Sequence, residues 1–386
     1  MSNQNPAVIG PAPAPETDRR HPHQEIRRET ACRRRFRTLH CSNRFDVEKV
    51  LMGPTIADVA RVAGVSRSTV SYALSGKRSI SDETRQRIFD AIHTLGFTAN
   101  AGARALATQR TMVLGLLMQF EPDEFAPAML QYVMAVTETA RLKGYDILLV
   151  TDHDGPAALK RITDSGMVDG VVLLDVLHDD PRLPVLRAAH QPAAMVGLPA
   201  DPEGMDVYDL DFGEAARQIV DHLSDLGHRE IVLITPPKHV FSRGGAYGWR
   251  FRDAAVERAA LRGVRLMAHH GEADTSRIPA AVNQVLDARA EATALIVHND
   301  ATAAMLPAVL GARGVSVPDD LSVVSLYSAD FARTFSLPYT FVESAPGLLG
   351  QSAVEALVRR IDSPGGLDRP VTRFIAPELV VRGSTR

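Results

Sequence analysis

Residues 55–74 carry the pattern of two short capped helices joined by a glycine turn. Thr55 with Asp58 three residues later is a capping pattern, because the hydroxyl and the carboxylate can satisfy free amides of a first helical turn. Apolar residues then recur at helical spacing until Gly64, which tolerates positive φ and ends the helix. Ser66 is placed to cap a second helix. The sequence therefore predicts a helix-turn-helix.

The predicted second helix has two unlike faces. Val70, Ala73 and Leu74 suit a small core, whereas its other side chains are small or polar. The first residues of such a helix can meet base edges in DNA while amides and hydroxyls hold phosphates. Capped helix pairs also occur in proteins that do not bind DNA, so a structural helix pair is the alternative. The candidate DNA-contacting residues are Thr55, Ser66, Arg67, Ser68, Thr69, Ser71 and Tyr72.

A third helix is predicted to complete this region. Ser81 opens an acidic, capped start, apolar residues follow at helical spacing, and Gly96 provides a stop. Thr84, in its first turn, is a further candidate for DNA contact. Residues 97–108 contain a helix-compatible run too short to be stable alone in water, so we expect it to fold only when something holds it.

Charge is distributed unevenly along the chain. The whole sequence carries −3, whereas residues 1–51 and residues 52–111 each carry +4, which leaves −11 for residues 112–386. A positive front favours phosphate neutralisation, and an acidic body discourages nonspecific contact with DNA. A surplus of this size alone could simply solvate a surface. Beside the helix-turn-helix pattern it favours DNA binding.

Residues 1–53 differ in composition from the rest of the chain. Proline–alanine repeats, the Arg33–Arg35 cluster and scattered histidines with little apolar periodicity predict a disordered basic extension. One interpretation is a basic arm that adds nonspecific DNA affinity. The other, which we favour, is that translation begins at Met52 and that residues 1–51 reflect a misassigned start.

Cysteine content and apolar runs bear on location. Cys32 and Cys41 both lie in the extension, so the predicted folded part needs no disulfide. No apolar run of about 18 residues is present, and the N-terminus lacks the apolar stretch of a secretory signal. We expect a cytoplasmic protein.

From residue 112 onward, short apolar runs alternate with amphipathic helices. Strands buried on both faces and joined by helices predict parallel sheets, and two blocks of similar size predict two α/β lobes with ligands in the crevice between them. The predicted strands are 113–118, 146–150, 171–174, 193–196, 206–210, 231–234, 264–267 and 295–297, and the predicted helices are 129–143, one ending at Leu226, 249–262 and 278–288.

Residues 54 to about 110 resemble the DNA-binding headpiece of the LacI/GalR family of bacterial transcriptional regulators, and the rest resembles that family's periplasmic-binding-protein-like core. The resemblance implies a helix-turn-helix headpiece over 54–98, a hinge helix and linker over 99–111, and a two-lobed effector-binding and dimerisation domain over 112–386. It also implies three chain crossings between the lobes. The motifs that carry the core resemblance are Asp169-Gly170-Val171-Val172, Leu226-Gly227-His228-Arg229, His298-Asn299-Asp300 and residues 314–324.

The same resemblance assigns roles to the hinge. Leu106 matches a leucine that wedges open a base step in the minor groove, and Asn100 and Arg104 match residues near the DNA backbone. Two features depart from the family pattern in the hinge: Ala99 replaces a usual proline, and Gly102 weakens a helix by about 1 kcal/mol relative to alanine. Tyr72 stands where relatives often have an arginine, so the operator sequence cannot be transferred from them.

The candidate effector site draws on the core. Asp300 follows a predicted strand and matches a family aspartate that accepts hydrogen bonds from ligand hydroxyls, although a helix-capping role is the alternative. The resemblance places Gly245 where the family has a ligand-clamping arginine, and Arg243 and Arg250 are each either a substitute for it or a solvated surface residue. The remaining candidates are Phe125, with a core role as its alternative, Asp175 and Asp211, with capping or surface roles as theirs, and Trp249 and Tyr327.

Motifs for catalysis and for metal binding distinguish an enzyme from a binding protein. The sequence lacks a Gly-x-Ser-x-Gly elbow, a phosphate-cradling loop, a His-Glu-x-x-His motif and paired zinc cysteines. The adjacent His269 and His270 cannot face one metal from regular structure, and we expect an exposed loop there. The favoured function is an effector-responsive repressor that binds a pseudo-palindromic operator as a homodimer, without a cofactor and with a sugar or sugar derivative as effector. The alternatives are a sugar-binding transport protein and an α/β enzyme with a fused DNA-binding domain.

Overall fold

The structure is a computed structural model that describes residues 54–75, 78–97, 110–119, 126–202, 204–363 and 369–386. The chain divides into two compact units, with the boundary between Ala99 and Asn100. The predicted hinge residues Asn100, Arg104 and Leu106, the candidate Phe125 and the predicted extension over 1–53 lie outside the described residues.

The first unit contains the predicted helix-turn-helix. The carboxylate of Asp58 accepts a hydrogen bond from the Thr55 amide at 3.1 Å and from the Thr55 hydroxyl at 2.7 Å, which satisfies free donors at the start of the first helix. Gly64, with φ of 66°, ends that helix in the left-handed conformation that glycine adopts without a Cβ clash. The described helices of this unit are α1 (Ile56–Ala63), α2 (Arg67–Ser75) and α3 (Asp82–Leu95).

One residue from each helix forms the centre of this unit's core. Val59 of α1, Val70 of α2 and Ile88 of α3 are fully buried against one another. Ala73 and Leu74 of α2 pack against this cluster and are partly buried. The α2 residues predicted to face inward therefore do so, and the polar face of the helix is left at the surface.

The first lobe of the second unit is built on a parallel sheet. Its strands buried on both faces are apolar runs, because helices cover the sheet on each side. The described strands, in spatial order, are β11 (Thr372–Ile375), β5 (Asp206–Leu210), β4 (Ala193–Val196), β3 (Gly170–Leu173), β1 (Val113–Leu117) and β2 (Asp146–Val150). The helices of this lobe are α4 (Ala126–Leu142), α5 (Gly155–Asp164), α6 (Leu183–Ala188) and α12 (Pro346–Asp362).

The second lobe repeats this design with one antiparallel strand at its edge. The described strands, in spatial order, are β12 (Leu379–Val380), β10 (Thr340–Glu343), β9 (Ser322–Tyr327), β8 (Ala294–Val297), β6 (Glu230–Pro237) and β7 (Arg265–Gly271). β12 pairs antiparallel with β10, whereas the other pairs are parallel. The helices are α7 (Phe212–Asp225), α8 (Lys238–Ser242), α9 (Ala246–Leu261), α10 (Ile278–Ala288) and α11 (Asp300–Arg313).

The chain passes between the two lobes at three places. It crosses after β5 at Asp211, after β10 at residues 344–345, and after β11 at residues 376–378. The three crossings implied by the family resemblance are therefore present. Because each lobe is a mainly parallel sheet, residues that follow the strands of both lobes gather in the cleft between them.

The expectation for His269 and His270 was wrong. Both lie within β7 and not in a loop, so they point to opposite faces of the strand. The His270 ring nitrogen Nδ1 lies 3.2 Å from the hydroxyl of Thr235 on the neighbouring strand. Strand β7 is at the edge of its sheet, which explains why its sequence is not continuously apolar.

Candidate functional site

The start of α2 presents a polar surface. The hydroxyl of Ser66 accepts a hydrogen bond from the Thr69 amide at 3.1 Å and lies 2.7 Å from the Ser68 hydroxyl. Ser66, Arg67 and Ser68 are exposed, and Thr69 and Ser71 are half-buried. The capping hydroxyls therefore fix the first turn of α2 and leave the Arg67 side chain directed away from the core.

A second cation lies near α2. The guanidinium carbon of Arg78 is 6.0 Å from the ring centre of Tyr72, which is 37% exposed. A guanidinium over an aromatic face is attracted by the ring's negative π surface. Sequence reasoning noted that Tyr72 replaces a family arginine but did not anticipate that Arg78 supplies a positive charge beside it.

Two other predicted DNA-contacting residues also take part in helix caps. The hydroxyl of Thr84 accepts from Ser81 at 2.9 Å, and its amide donates back to Ser81 at 3.3 Å at the start of α3. Thr55 caps α1 through Asp58, and its hydrogen bonds hold the pKa of that carboxyl at about 2. Thr55 and Thr84 therefore have structural roles in the unbound headpiece.

A cavity of about 200 Å³ lies between the two lobes of the core. Its walls are mainly apolar, with aromatic rings from both lobes and a few acidic groups. Such a composition is typical of a small-molecule site. The aromatic and charged groups in its lining are Tyr132, Phe212, Tyr247, Tyr327, Phe331, His239, His298, Asp175, Asp209, Glu272, Asp300 and Arg250.

Asp300 is placed at the cavity by strand β8 and helix α11. The residue before it, Asn299, caps α11 by accepting a hydrogen bond from the Thr302 amide at 2.8 Å. The capping role considered for Asp300 is thus filled by its neighbour. Burial raises the pKa of the Asp300 carboxyl to about 7. The group can therefore change its protonation state near neutral pH inside the cavity.

His298 is buried among aromatic rings next to Asp300. Its ring centre lies 4.4 Å from that of Phe251, 5.7 Å from Tyr247 and 5.8 Å from Phe212. Burial lowers its pKa to about 3, so the imidazole is neutral at physiological pH. Phe212, Tyr247 and His298 were not predicted as site residues, although the sequence placed His298 within the family motif that includes Asp300.

Two ion pairs connect the lobes beside the cavity. Asp175 follows β3 in the first lobe, and its Oδ1 accepts from Nη2 of Arg243, which ends α8 in the second lobe, at 2.9 Å. Arg243 binds the other carboxylate oxygen as well. Arg250 of α9 pairs with Asp209 of β5. Burial raises the pKa of Asp209, and the Arg250 guanidinium opposes that rise. Both substitutes considered for the family arginine therefore bridge the two lobes.

The other predicted effector residues have mixed placements. Tyr327 lines the cavity but is also a core residue, stacked on Phe341 at 4.8 Å. Asp211 caps α7 by accepting from the Glu214 amide at 2.9 Å. Trp249 packs its ring against His178. Neither Asp211 nor Trp249 is among the described residues that line the cavity, so the structure does not support the predicted effector contact for these two.

Membrane-spanning helices and metal sites would point to other functions. No described helix is both long and apolar enough to traverse a lipid bilayer. No group of three or more histidine, cysteine, aspartate or glutamate side chains in the described ranges is arranged to hold a metal ion.

Two family profiles match this chain. The profile described as "Bacterial regulatory proteins, lacI family" matches residues 55–100, which include the three helices of the headpiece. The profile described as "Periplasmic binding protein-like domain" matches residues 220–385, most of which form the second lobe.

Curated relatives match over nearly their whole length. The "HTH-type transcriptional regulator CelR" of Thermobifida fusca is 29% identical over 341 residues, which cover 86% of this chain and 98% of the relative. The "HTH-type transcriptional repressor PurR" of Actinobacillus pleuropneumoniae serotype 3 is 26% identical over 336 residues, with the same coverage.

Solved structures agree with this assignment. A complex of the transcriptional regulator CelR with cellobiose has a TM-score of 0.61 at 27% identity, covering 86% of this chain and 99% of that chain. The lac repressor dimer bound to operator has a TM-score of 0.73 at 22% identity, with the same coverage, which shows a shared fold. The capped helix-turn-helix, the two-lobed α/β core and these matches together show that the chain joins a DNA-binding domain of the lacI family of bacterial regulatory proteins to a periplasmic-binding-protein-like domain.

Proposed function

We propose that this chain is an effector-responsive transcriptional repressor that binds operator DNA as a homodimer in the cytoplasm and catalyses no reaction. One observation carries the proposal: a helix-turn-helix with an exposed polar second helix occurs in the same chain as a cleft lined by the half-buried acidic group Asp300. A protein built only for transport has no use for the headpiece, so the headpiece favours a regulator over a transport protein.

The DNA-binding step follows from the headpiece. Helix α2 enters the major groove with Arg67, Ser68 and Tyr72 toward the bases, and Arg78 adds positive charge beside Tyr72. Two copies related by a twofold axis read the two halves of a pseudo-palindrome. Leu106, in the hinge assigned by resemblance, inserts into the minor groove and bends the DNA.

The effector is proposed to be a sugar or sugar derivative. Apolar and aromatic walls pack against the carbon faces of a sugar ring, and Asp300 accepts hydrogen bonds from its hydroxyls. The cellobiose complex of the relative CelR supports this ligand class. A ligand changes DNA affinity only if it binds the two lobe arrangements with different affinity, so we place the coupling at the contacts between the lobes.

A binding selection on genomic DNA tests the proposal. Purified full-length protein is mixed with fragments from the source genome at moderate ionic strength, and bound fragments are sequenced with and without a panel of sugars. We expect enrichment of pseudo-palindromic sites and a change of affinity with one sugar class. Equal binding to random duplex under every condition would refute the regulator function.

A Leu106→Ala variant tests the hinge within the same assay. It should weaken binding to the selected site and reduce bending in a gel-mobility assay while leaving nonspecific affinity nearly unchanged.

Turnover of any sugar in the panel would instead favour the alternative that the chain is an α/β enzyme with a fused DNA-binding domain.

A further inference from the structure

Arg250 is the single lysine or arginine among the described residues that line the cavity. Its guanidinium is not available as a lone positive charge. It forms an ion pair with Asp209, whose side chain is 6% exposed and comes from the opposite lobe. The guanidinium carbon also lies 5.4 Å from the ring centre of Phe212. These contacts on two sides fix the arginine in the cavity wall.

The position of the arginine that relatives use is closed in this chain. A Cβ atom at Gly245 would lie 2.6 Å from a methyl carbon of Val240 and 2.9 Å from the Val240 carbonyl oxygen. A side chain there requires the backbone of α8 to move. The positive charge of the cavity is therefore supplied from Arg250 on α9, where a carboxylate of the other lobe faces it.

The charge of the cavity follows from these pairs. Asp209 neutralises Arg250, and Asp175 is bound by Arg243. Asp300 and Glu272 also line the cavity, and no ion pair joins either of them to a basic group within the described part of the chain. The cavity therefore presents acidic groups to a ligand without an uncompensated guanidinium. An anionic ligand that enters must be desolvated beside these carboxyl groups, which is unfavourable.

We infer that the Asp209–Arg250 pair sets the charge specificity of the effector site, so that the cleft accepts uncharged polyhydroxylated ligands and excludes anionic ones such as sugar acids. The inference rests on the proposed function that the cavity is the effector site. It deepens that function by selecting among sugar derivatives: the carboxylate of Asp209 binds Nη2 of Arg250 and compensates the charge that an anionic ligand group would otherwise neutralise.

Release of Arg250 from its partner tests the inference. Asp209→Asn keeps the size of the side chain and removes its charge. Full-length wild type and variant are titrated with sodium sulfate against sodium chloride at equal ionic strength, and with cellobiose against cellobionate, by thermal shift and calorimetry. In wild type we expect neither sulfate nor cellobionate to stabilise beyond the salt control. In Asp209→Asn we expect saturable binding of both anions, tighter than in wild type by at least about tenfold.

Two matched variants separate the pair from general effects. Asp209→Asn combined with Arg250→Gln should lose the gained anion binding. Asp206→Asn removes another buried carboxylate of β5, one that pairs with Arg360 away from the cavity, and should create no anion binding that depends on Arg250. If Asp209→Asn does not fold, Asp209→Ser serves as the second variant.

The outcomes are distinct. Anion binding by wild type as tight as that of the variant, or a folded variant without any gain, would overturn the inference. Operator binding that persists alongside either result would leave the regulator function standing. If the gained anion binding survives the Arg250→Gln change, the inference is also overturned, because the anion then binds elsewhere.

Discussion

The ring of Trp249 lies edge-on to the imidazole of His178, with 5.5 Å between the ring centres and 74° between their planes. Trp249 belongs to α9 of the second lobe, and His178 follows β3 in the first lobe. The contact is supported by a backbone hydrogen bond from the His178 amide to the Gly244 carbonyl at 2.8 Å. Because Trp249 is the single tryptophan of the chain, its fluorescence reports on the contact between the lobes.

Removal of the His178 ring should expose Trp249. We expect His178→Ala to increase the quenching of tryptophan fluorescence by acrylamide and to shift the emission to longer wavelength, because an edge of the indole then meets water. The control is His190→Ala, which removes an exposed imidazole of the same lobe and should leave both signals unchanged. Identical quenching in the two variants would show that His178 does not shield Trp249 in solution.

The Asp175–Arg243 pair should hold the lobes together. Asp175 has φ of 49°, a conformation that asparagine tolerates well, so Asp175→Asn removes the charge without adding backbone strain. Its side chain is 6% exposed and that of Arg243 15% exposed, so water screens the pair poorly and the substitution weakens two charge-assisted hydrogen bonds. We expect a loss of about 2 kcal/mol in the free energy of unfolding, measured by denaturant titration.

An exposed pair of the first lobe provides the comparison. Asp152 and Arg161 are 2.7 Å apart, with side chains more than half exposed. Asp152→Asn should change the free energy of unfolding by less than about 1 kcal/mol, because water screens that pair. Equal losses in the two variants would contradict a special role for the contact between the lobes. Asp175→Asn should also raise acrylamide quenching of Trp249.

Effector binding should depend on pH through Asp300. The ionised carboxylate accepts stronger hydrogen bonds from ligand hydroxyls than the protonated acid does, and burial places its pKa at about 7. Binding that requires the carboxylate should therefore be about tenfold weaker at pH 6 than at pH 8. His298 stays neutral over this range, since its pKa is about 3. Calorimetric titration at several pH values measures the profile, and Asp300→Asn should weaken binding and flatten it.

The raised pKa of Asp300 also affects the stability of the folded chain. The pKa of Asp300 is higher in the folded chain than its ordinary value of 3.8, so the folded state keeps a proton that the unfolded state loses. Asp300 therefore lowers the free energy of unfolding as the pH rises from about 4 to about 7. We expect Asp300→Asn to be more stable than wild type at pH 8, because it has no carboxyl group to ionise. The gain should be limited to about 2 kcal/mol, because part of the Asp300 side chain stays open to the cavity. An equal stability difference at pH 4 and pH 8 would rule out this titration.

Local sequence patterns predicted most of the fold. Strands β2, β4 and β5 have the predicted bounds, and β4 shows the reason most clearly, because a parallel strand buried on both faces is apolar throughout. Gly64 and Gly96 end α1 and α3 as expected. No strand was predicted beyond residue 297, so β9 to β12 were missed. Two edge strands show why local patterns are weaker at an edge. β7 extends through His269 and His270, and β11 has exposed residues, so neither has a continuous apolar run.

The candidate site was only partly predictable. Asp300 follows a strand directly, so its place at the sheet edge was visible in the sequence. The Asp209–Arg250 pair joins residues 41 positions apart, and Asp175–Arg243 joins residues 68 apart. Such pairs depend on how the lobes close, which no local pattern encodes. Trp249 was expected in the effector site because it stands where an aromatic residue follows the family's Arg-x-x-Gly motif, and in the structure its ring packs against His178 of the other lobe.

The headpiece should bind DNA with a salt dependence set by its exposed cations. Arg67, at the start of α2, and Arg78, beside Tyr72, are both exposed in the unbound headpiece. Each arginine that neutralises a phosphate releases condensed counterions, so its loss should reduce the slope of log Kobs against log salt by about 1. If Arg67 reads a base edge instead, Arg67→Ala should lower specific affinity by about 1–3 kcal/mol and leave the slope nearly unchanged.

Fluorescence anisotropy with the selected operator and with a random duplex, at several salt concentrations, distinguishes these roles. Arg141→Ala is the control, because Arg141 is an exposed arginine of the core that pairs with Glu138 on α4. It should change neither the slope nor the specificity ratio. Arg78→Ala should reduce the slope on both duplexes, since phosphate contacts do not depend on sequence. A slope that is unaltered in both headpiece variants would exclude Arg67 and Arg78 from phosphate contact and assign the counterion release to other residues of the chain.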